Sequence, residues 1–286
     1  SGNDDPISTN ETFDNGFSSK DARIDLAYID IHPKALDGLN AILGKMKNPF
    51  IAVNDLQWDG DLNPEGVALN LELPASDAFK LLVNGGAFWV EERSRDDETM
   101  LYGAQAAAEL KTEAAKVTAG ASLYYYDNIE GFAPIYDAED SFGNSVTESD
   151  DGDLAYATGF EIVELFAKIG FKAGLPVEVS GNYLVNQDAD DNDTGYMVGI
   201  KLGKLKDVGS FDLGYSYREL EADAVVGAFA DSDIGGGGSD IKGSKITAGY
   251  QLMKNLSGHV SYFISQKGVD DGSDYDRLQI DLVAKF

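Results

Sequence analysis

Period-2 alternation, repeated from one end of the chain to the other, constrains what this sequence can fold into more than any other feature. Near the C-terminus Leu278, Ile280, Leu282, Ala284 and Phe286 alternate with Arg277, Gln279, Asp281, Val283 and Lys285. The same rhythm runs through Phe211, Leu213, Tyr215 and Tyr217, through Ile246, Ala248, Tyr250 and Leu252, and through Val67, Leu69, Leu71 and Leu73. Successive strand side chains point to opposite faces, so each segment is a strand with one apolar and one mostly polar face. Read this way the chain predicts thirteen strands, at 21–32, 39–47, 64–74, 78–92, 100–110, 114–126, 154–170, 175–187, 194–204, 209–221, 241–252, 256–266 and 273–286. Two stretches, 104–115 and 161–172, carry residues that favour helix, but their alternating flanks make strand the reading here.

The connections sort by length. Short ones (33–39, 74–76, 111–113, 173–174, 205–208, 254–256) alternate with longer ones, of which 48–63, 127–153 and 222–240 are the longest. This is the rhythm of an up-and-down barrel with short periplasmic turns and long extracellular loops. No run of eighteen apolar residues exists, so a membrane-spanning helix is excluded. A membrane barrel needs only alternate apolar residues, which agrees with 43% hydrophobic composition and a mean hydropathy of -0.23. Trp89, Tyr102, Tyr125, Tyr156, Tyr183, Tyr196 and Tyr217 fall near the long-loop ends of the apolar face, and Phe79, Phe171, Phe211, Tyr250 and Phe286 near the short-turn ends. Two such belts suit the two membrane interfaces.

The expected fold is therefore all-β: an antiparallel, up-and-down transmembrane β-barrel in the bacterial outer membrane, with 1–286 as one domain. Leu213, Tyr215, Ile246, Ala248, Leu278, Ile280 and Leu282 are expected to face lipid. Bacterial barrels have even strand numbers with both termini in the periplasm. Thirteen strands ending at Phe286 would leave Ser1–Lys20 outside, which implies an odd number of strands upstream: one would give fourteen and three sixteen, and sixteen, a common size for open porins, is expected for the full protein.

Composition removes several functions. A net charge of -28 would repel nucleic-acid phosphates. Without cysteine there are no disulfides or thiolate metal sites, and only His32 and His259 remain for imidazole chemistry. Asp188, Asp190 and Asn192 imitate the start of a calcium loop, but its sixth and twelfth positions hold Asp193 and Gly199 instead of Gly and a carboxylate. No G-x-S-x-G elbow is present, and Gly235–Gly238 lacks the Lys-Ser/Thr and helix of a phosphate loop. No enzyme activity, cofactor or metal is expected.

The polar strand face supplies the candidate lumenal residues: Arg23, Asp25, Lys45, Lys47, Glu72, Glu109, Glu178, Lys201, Asp212, Arg218, Lys245, Arg277 and Asp281. So many charges fit a water-filled interior better than a packed one, where each would need a partner. The 222–230 segment, with Val225, Val226 and Phe229, is too apolar for free solvent. It is expected to pack as a short turn or helix against the inner wall or the mouth and narrow the passage, with 48–63 as the second candidate. The 127–153 loop carries nine acidic side chains, among them Asp137, Asp150 and Asp151, and neither Lys nor Arg. Such a loop would concentrate cations at the mouth or bind divalent ones.

Two longer segments carry a family resemblance. Leu26–Phe50, ending Gly-Lys-Met-Lys-Asn-Pro-Phe, is followed by Trp58-Asp-Gly-Asp-Leu-Asn-Pro-Glu-Gly66, and the Ala222–Gly238 loop comes later. Together they resemble the putative-porin family of Gram-negative envelopes, over essentially the whole chain, and the terminal Phe286 resembles the assembly signal of outer-membrane porins. The resemblance implies passive transport of ions and small hydrophilic solutes through a water-filled channel. Its partners would be outer-membrane lipid and lipopolysaccharide and further copies of the chain, as in a trimer. Two other classes stay open: a barrel sheath around a partner such as an electron carrier, and a soluble acidic secreted β-protein.

Overall fold

The computed structural model describes residues 6–8, 23–94, 96–150, 152–270 and 272–285. The expectations that fall on Ser1–Lys20, on the start of the first strand, on Asp151 and on Phe286 lie outside the described residues, apart from 6–8. The chain forms β1 (Ala27–Ile31), β2 (Leu39–Lys45), β3 (Glu65–Pro74), β4 (Phe79–Glu91), β5 (Thr99–Lys111), β6 (Ala115–Asp127), β7 (Val146–Glu148), β8 (Leu154–Tyr156), β9 (Phe160–Ala173), β10 (Leu175–Asn186), β11 (Thr194–Gly203), β12 (Phe211–Leu220), β13 (Ile241–Met253), β14 (Leu256–Lys267) and β15 (Ser273–Ala284). Thirteen of these make one antiparallel meander in chain order, while β7 and β8 form a separate hairpin inside the 128–159 loop. Among the described residues β1 and β15 each pair with one neighbour, so the sheet is open along that seam.

Both alanine- and glutamate-rich stretches are strand. β5 pairs in full register with β4 and β6, and β9 with β6 and β10. Helix propensity separates residues by at most about 0.7 kcal/mol. A broken ladder at membrane depth would strand backbone groups at several kcal/mol each, so pairing decides.

Register divides the side chains cleanly. Leu213, Tyr215, Ile246, Leu278, Ile280 and Leu282 lie on the outer face and are exposed there, and Ala248 lies between them opposite Leu213 and Val260. Trp89, Tyr102, Tyr125, Tyr183 and Tyr196 are exposed on the outer face near the long-loop ends, and Phe171, Phe211 and Tyr250 near the short-turn ends. Tyr156 departs from this pattern. The segment expected as one strand breaks at Ala157-Thr158-Gly159, which leaves Tyr156 in the β8 hairpin. It is buried there, its hydroxyl accepts from the Ile135 amide at 3.2 Å, and burial pushes that hydroxyl up to about 12.

Candidate pore constriction

The inner face has two unlike halves. On β4, β5, β6 and β9 it carries Phe88, Leu101, Tyr124, Tyr126, Phe160 and Ile162 toward the long-loop end, all buried. On β11 to β14 the inward positions include many small or polar residues, Gly199, Gly214, Ser216, Gly243, Thr247, Gly249, Ser261 and Ser265, while the bulky Met197, Leu220, Ile241 and Phe263 are buried toward the long-loop end. The bulky half holds loops and the small half leaves room.

The loop at 46–64 turns inward rather than outward. Asn48 Oδ1 accepts from the Phe50 amide at 2.9 Å, which bends the chain as it leaves β2. Gln105 then behaves as a piece of backbone. Its Oε1 accepts from the Ile51 amide at 2.8 Å and its Nε2 donates to the Ile51 carbonyl at 3.1 Å, so the Ile51 backbone groups are satisfied without water. Phe50 lies on Gly103, where a Cβ would fall into the ring, and packs edge-on against Tyr124 at 5.2 Å and Phe88 at 6.0 Å. Trp58 packs against Tyr124 at 4.7 Å.

A polar ladder at one height runs beneath these rings. Asn70 donates to Asn84 (2.7 Å), Asn84 to Gln105 (2.9 Å), Gln105 to Ser122 (3.0 Å), and Ser122 to Glu164 (2.9 Å). Asn182 donates to the other Glu164 oxygen at 3.0 Å and accepts from Asn54 at 3.1 Å, while Ser180 donates to Asn54 Oδ1 at 2.7 Å. The ladder crosses six strands and ends on the loop itself. Networks satisfied this fully fix one arrangement.

The 221–240 loop comes in from the opposite side. Its single 3-10 turn, Gly227–Phe229, is buried, as are Val225 and Val226. Phe229 stacks on Tyr126 with ring centres 6.4 Å apart, and the Asp59 amide donates to the Phe229 carbonyl at 2.8 Å. Asn144, from the 128–159 loop, donates to the Val225 carbonyl and accepts from the Gly227 amide. Both loops singled out by sequence therefore occupy the interior, and they touch.

Arg218 joins them. It is 1% exposed, points inward from β12, pairs with Asp55 Oδ1 of the first loop, and lies 3.0 Å from Asp231 Oδ2 of the second. Its Nη1 also donates to the Asp55 carbonyl at 3.1 Å, and Lys245 stands 3.7 Å from the other Asp55 oxygen. Burial works to raise the Asp55 carboxyl, but the Arg218 and Lys245 charges outweigh it and hold the group below the ordinary carboxylate range. Asp231 is pushed up by its burial, only partly offset by Arg218. Below this latch a cavity of about 370 Å3 is lined by Asn54, Asp55, Glu178, Ser180, Lys201, Ser216, Lys245 and Thr247.

The other expected lumenal residues divide. Glu72, Glu109, Glu178, Lys201, Asp212, Arg277 and Asp281 hold inward positions. Most are paired: Lys80 with Glu72 and Glu109, Lys116 with Glu109, Lys201 with Asp212 at 3.0 Å, and Arg277 with Asp233 at 3.1 Å. Lys45 has the outward backbone parity of Leu43 and Val67, but at the strand end its ammonium turns back to the 46–64 loop and donates to the Asn63 carbonyl at 3.2 Å. Lys47 lies past the end of β2, and Arg23 and Asp25 precede β1, where Asp25 accepts from Asn63 at 2.5 Å. His32 sits 3.1 Å from Asp30 near the exposed first turn. Ser257 Oγ lies 2.9 Å from His259 Nε2, with Asp281 opposite in the pairing, but no described carboxylate hydrogen-bonds the ring. No group of three or more metal-ligating side chains occurs among the described residues. Sequence reading missed Asp55, Asp231 and the ladder residues.

A strand meander of membrane length, apolar outside and polar inside with loops folded into its interior, defines a β-barrel channel of the bacterial outer membrane. The sequence matches the family described as "Putative porin" over residues 1–151 and again over 136–286, and the chain belongs to that family. In fold it is similar to OprB of Pseudomonas putida, solved at high pH, with a TM-score of 0.57 and 12% identity over 87% of this chain and 70% of that one. A further similarity is to OmpT, an outer membrane protein of Vibrio cholerae folded in vitro, with a TM-score of 0.48 and 11% identity over 86% of this chain and 76% of that one. No curated protein matches the sequence.

Proposed function

We propose that the chain conducts ions and small hydrophilic solutes by passive diffusion, along a water-filled passage beside β10–β14. The observation that carries this reading is the asymmetry of the inner wall. One half clamps the 46–64 loop through aromatic packing and the polar ladder, and the other, below its buried long-loop end, carries glycine, serine and threonine together with Lys201 and Lys245. Beside the latch Asp55 lies 3.7 Å from Lys245 and Lys201 pairs with Asp212 at 3.0 Å, so a permeating ion meets both signs of charge. Fixed charges there set selectivity through the local field. Above them the acidic 128–159 and 187–193 loops raise the local concentration of cations, an effect that fades as salt shortens the Debye length. The sheath reading loses support, since the protein's own loops take the space that a protein partner would need.

Single-channel recording with reversal potentials tests this. Steady open-channel current is expected, with cation preference in low salt that declines in high salt. A correctly folded barrel without current would overturn the channel reading. Anion preference in low salt would instead assign control to Arg218, Lys201 and Lys245.

A further inference from the structure

The periplasmic mouth carries a second hollow, which shares Glu178 and Lys201 with the cavity below the latch. Here the short turns after β5, β9 and β11 come together, and a groove of about 560 Å3 opens between them. Five lysines line it, Lys111, Lys116, Lys172, Lys201 and Lys204, against two acids, Glu113 and Glu178. Lys116 and Lys201 are committed to Glu109 and Asp212. Lys111, Lys172 and Lys204 have no described carboxylate within ion-pair distance, although the chain as a whole carries 50 acidic residues against 22 basic ones.

We propose that this groove binds a small multivalent oxyanion from the periplasmic side, and that a bound anion obstructs the passage. Three features support the assignment. The volume is that of a small-molecule site, within the usual range of about 300–1,000 Å3. The lysines come from four strands and a turn, so the fold gathers them, and sequence neighbourhood does not. The acidic loops stand at the far end of a barrel whose apolar band is about 25 Å tall. With a Debye length of about 8 Å at physiological salt, their repulsion does not reach the groove. A monovalent anion meets the cluster one charge at a time. A ligand with several oxyanion groups engages the three free ammonium groups together, as point-charge donors that need no fixed angle.

The inference rests on the channel reading for its effect on current but not for binding, so two measurements separate the failures. In an oriented bilayer, inorganic pyrophosphate added on the short-turn side should reduce the current in a saturable way, and the same addition on the long-loop side should not. In detergent, equilibrium dialysis should show one pyrophosphate bound per chain, displaced by raised salt. Each free lysine changed to alanine should weaken both effects about fivefold, the factor expected for one charge pair near 4 Å in water. The Lys111→Ala/Lys172→Ala/Lys204→Ala variant should lose them, Lys172→Arg should keep most of the effect, and Lys254→Ala, outside the groove, should match the parent. Equal block from both sides, or undiminished binding in the triple variant, overturns the site. Binding without any current in the parent would overturn the channel reading and leave the site standing.

Discussion

Removing the Arg218 guanidinium should do more damage than removing everything it touches. It is 1% exposed and is the group that joins the 46–64 loop, through Asp55, to the 221–240 loop, through Asp231 at 3.0 Å. Arg218→Met fills much of the same volume but leaves two carboxylates that had shared one positive charge, Asp231 buried and Asp55 a third exposed. Lys245, 3.7 Å from Asp55, compensates part of that loss, and among the described residues Asp231 has no second cation within ion-pair distance. Breaking a buried pair by removing one partner costs about 3–5 kcal/mol, whereas replacing the whole set with neutral groups is often nearly neutral. Arg218→Met should therefore fall in that range by urea titration of the barrel folded into liposomes. The triple variant Arg218→Met/Asp55→Asn/Asp231→Asn should recover most of the loss. Conductance should follow a different order. Both Arg218→Met and the triple variant should show larger and noisier currents, because each removes the ionic tie between the loops and leaves the hydrogen bonds of Asp59 to Phe229 and Ser232 to hold them. If the single variant is as stable as the parent, or the triple variant is the worse of the two, the latch carries no such energy and the loops are held by the aromatic cluster and those hydrogen bonds alone.

Other perturbations probe separate layers of the structure. Ile280 lies on the outer face, 73% exposed, so Ile280→Arg near mid-membrane should cost about 2–4 kcal/mol on folding into bilayers, and parent-like folding would refute the register. Acid should act on the two latch carboxyls in sequence. Asp231, raised by burial, takes its proton first as pH falls, and that protonation favours the folded state. Asp55, held low, contributes stability present above its unfolded value and lost as pH falls through its depressed folded one. Conductance should therefore change in two steps, the higher-pH step absent in Asp231→Asn and the lower in Asp55→Asn; a single step shared by both variants would contradict the assignment. Deleting 225–229 removes the ring stacked on Tyr126 and should raise conductance, while an unchanged value would take that loop out of the passage.

How much of this was legible in the sequence depends on where register information resides. The strands of the sheet show as alternation, β5 and β9 only through their flanks, and the face of Arg218 follows from Tyr215 and Tyr217 before it. Its burial does not follow, because Asp55 is 163 residues away and arrives through a loop. The ladder shows where the limit lies. Asn70, Asn84, Gln105 and Ser122 are direct partners across successive strands, and turns of a few residues fix their pairing. Those pairs could have been found by sliding each strand against the next until the inward polar residues met. Ser122 and Glu164 are also direct partners, but the 128–159 loop separates their strands and sets no register by its length. Glu164 sits, moreover, in one of the two stretches that favour helix. Lys45 could not be read for a local reason: its charge suggested the lumen while its parity pointed outward, and at a strand end a long side chain can turn over the rim to donate to the Asn63 carbonyl. The loops were legible only through their apolar content, which marked Phe229 and Trp58 as unsuited to solvent without saying where they would go. The inner wall shows why both turn inward. Small side chains at Gly86, Gly103 and Gly120 leave hollows that only an aromatic ring fills, and Phe88, Phe50 and Phe166 fill them. A barrel that spends its inward glycines on one half to seat rings, and on the other sets Gly214, Gly243 and Gly249 against Thr247, Ser265 and Asp212, specifies the side on which its loops are clamped.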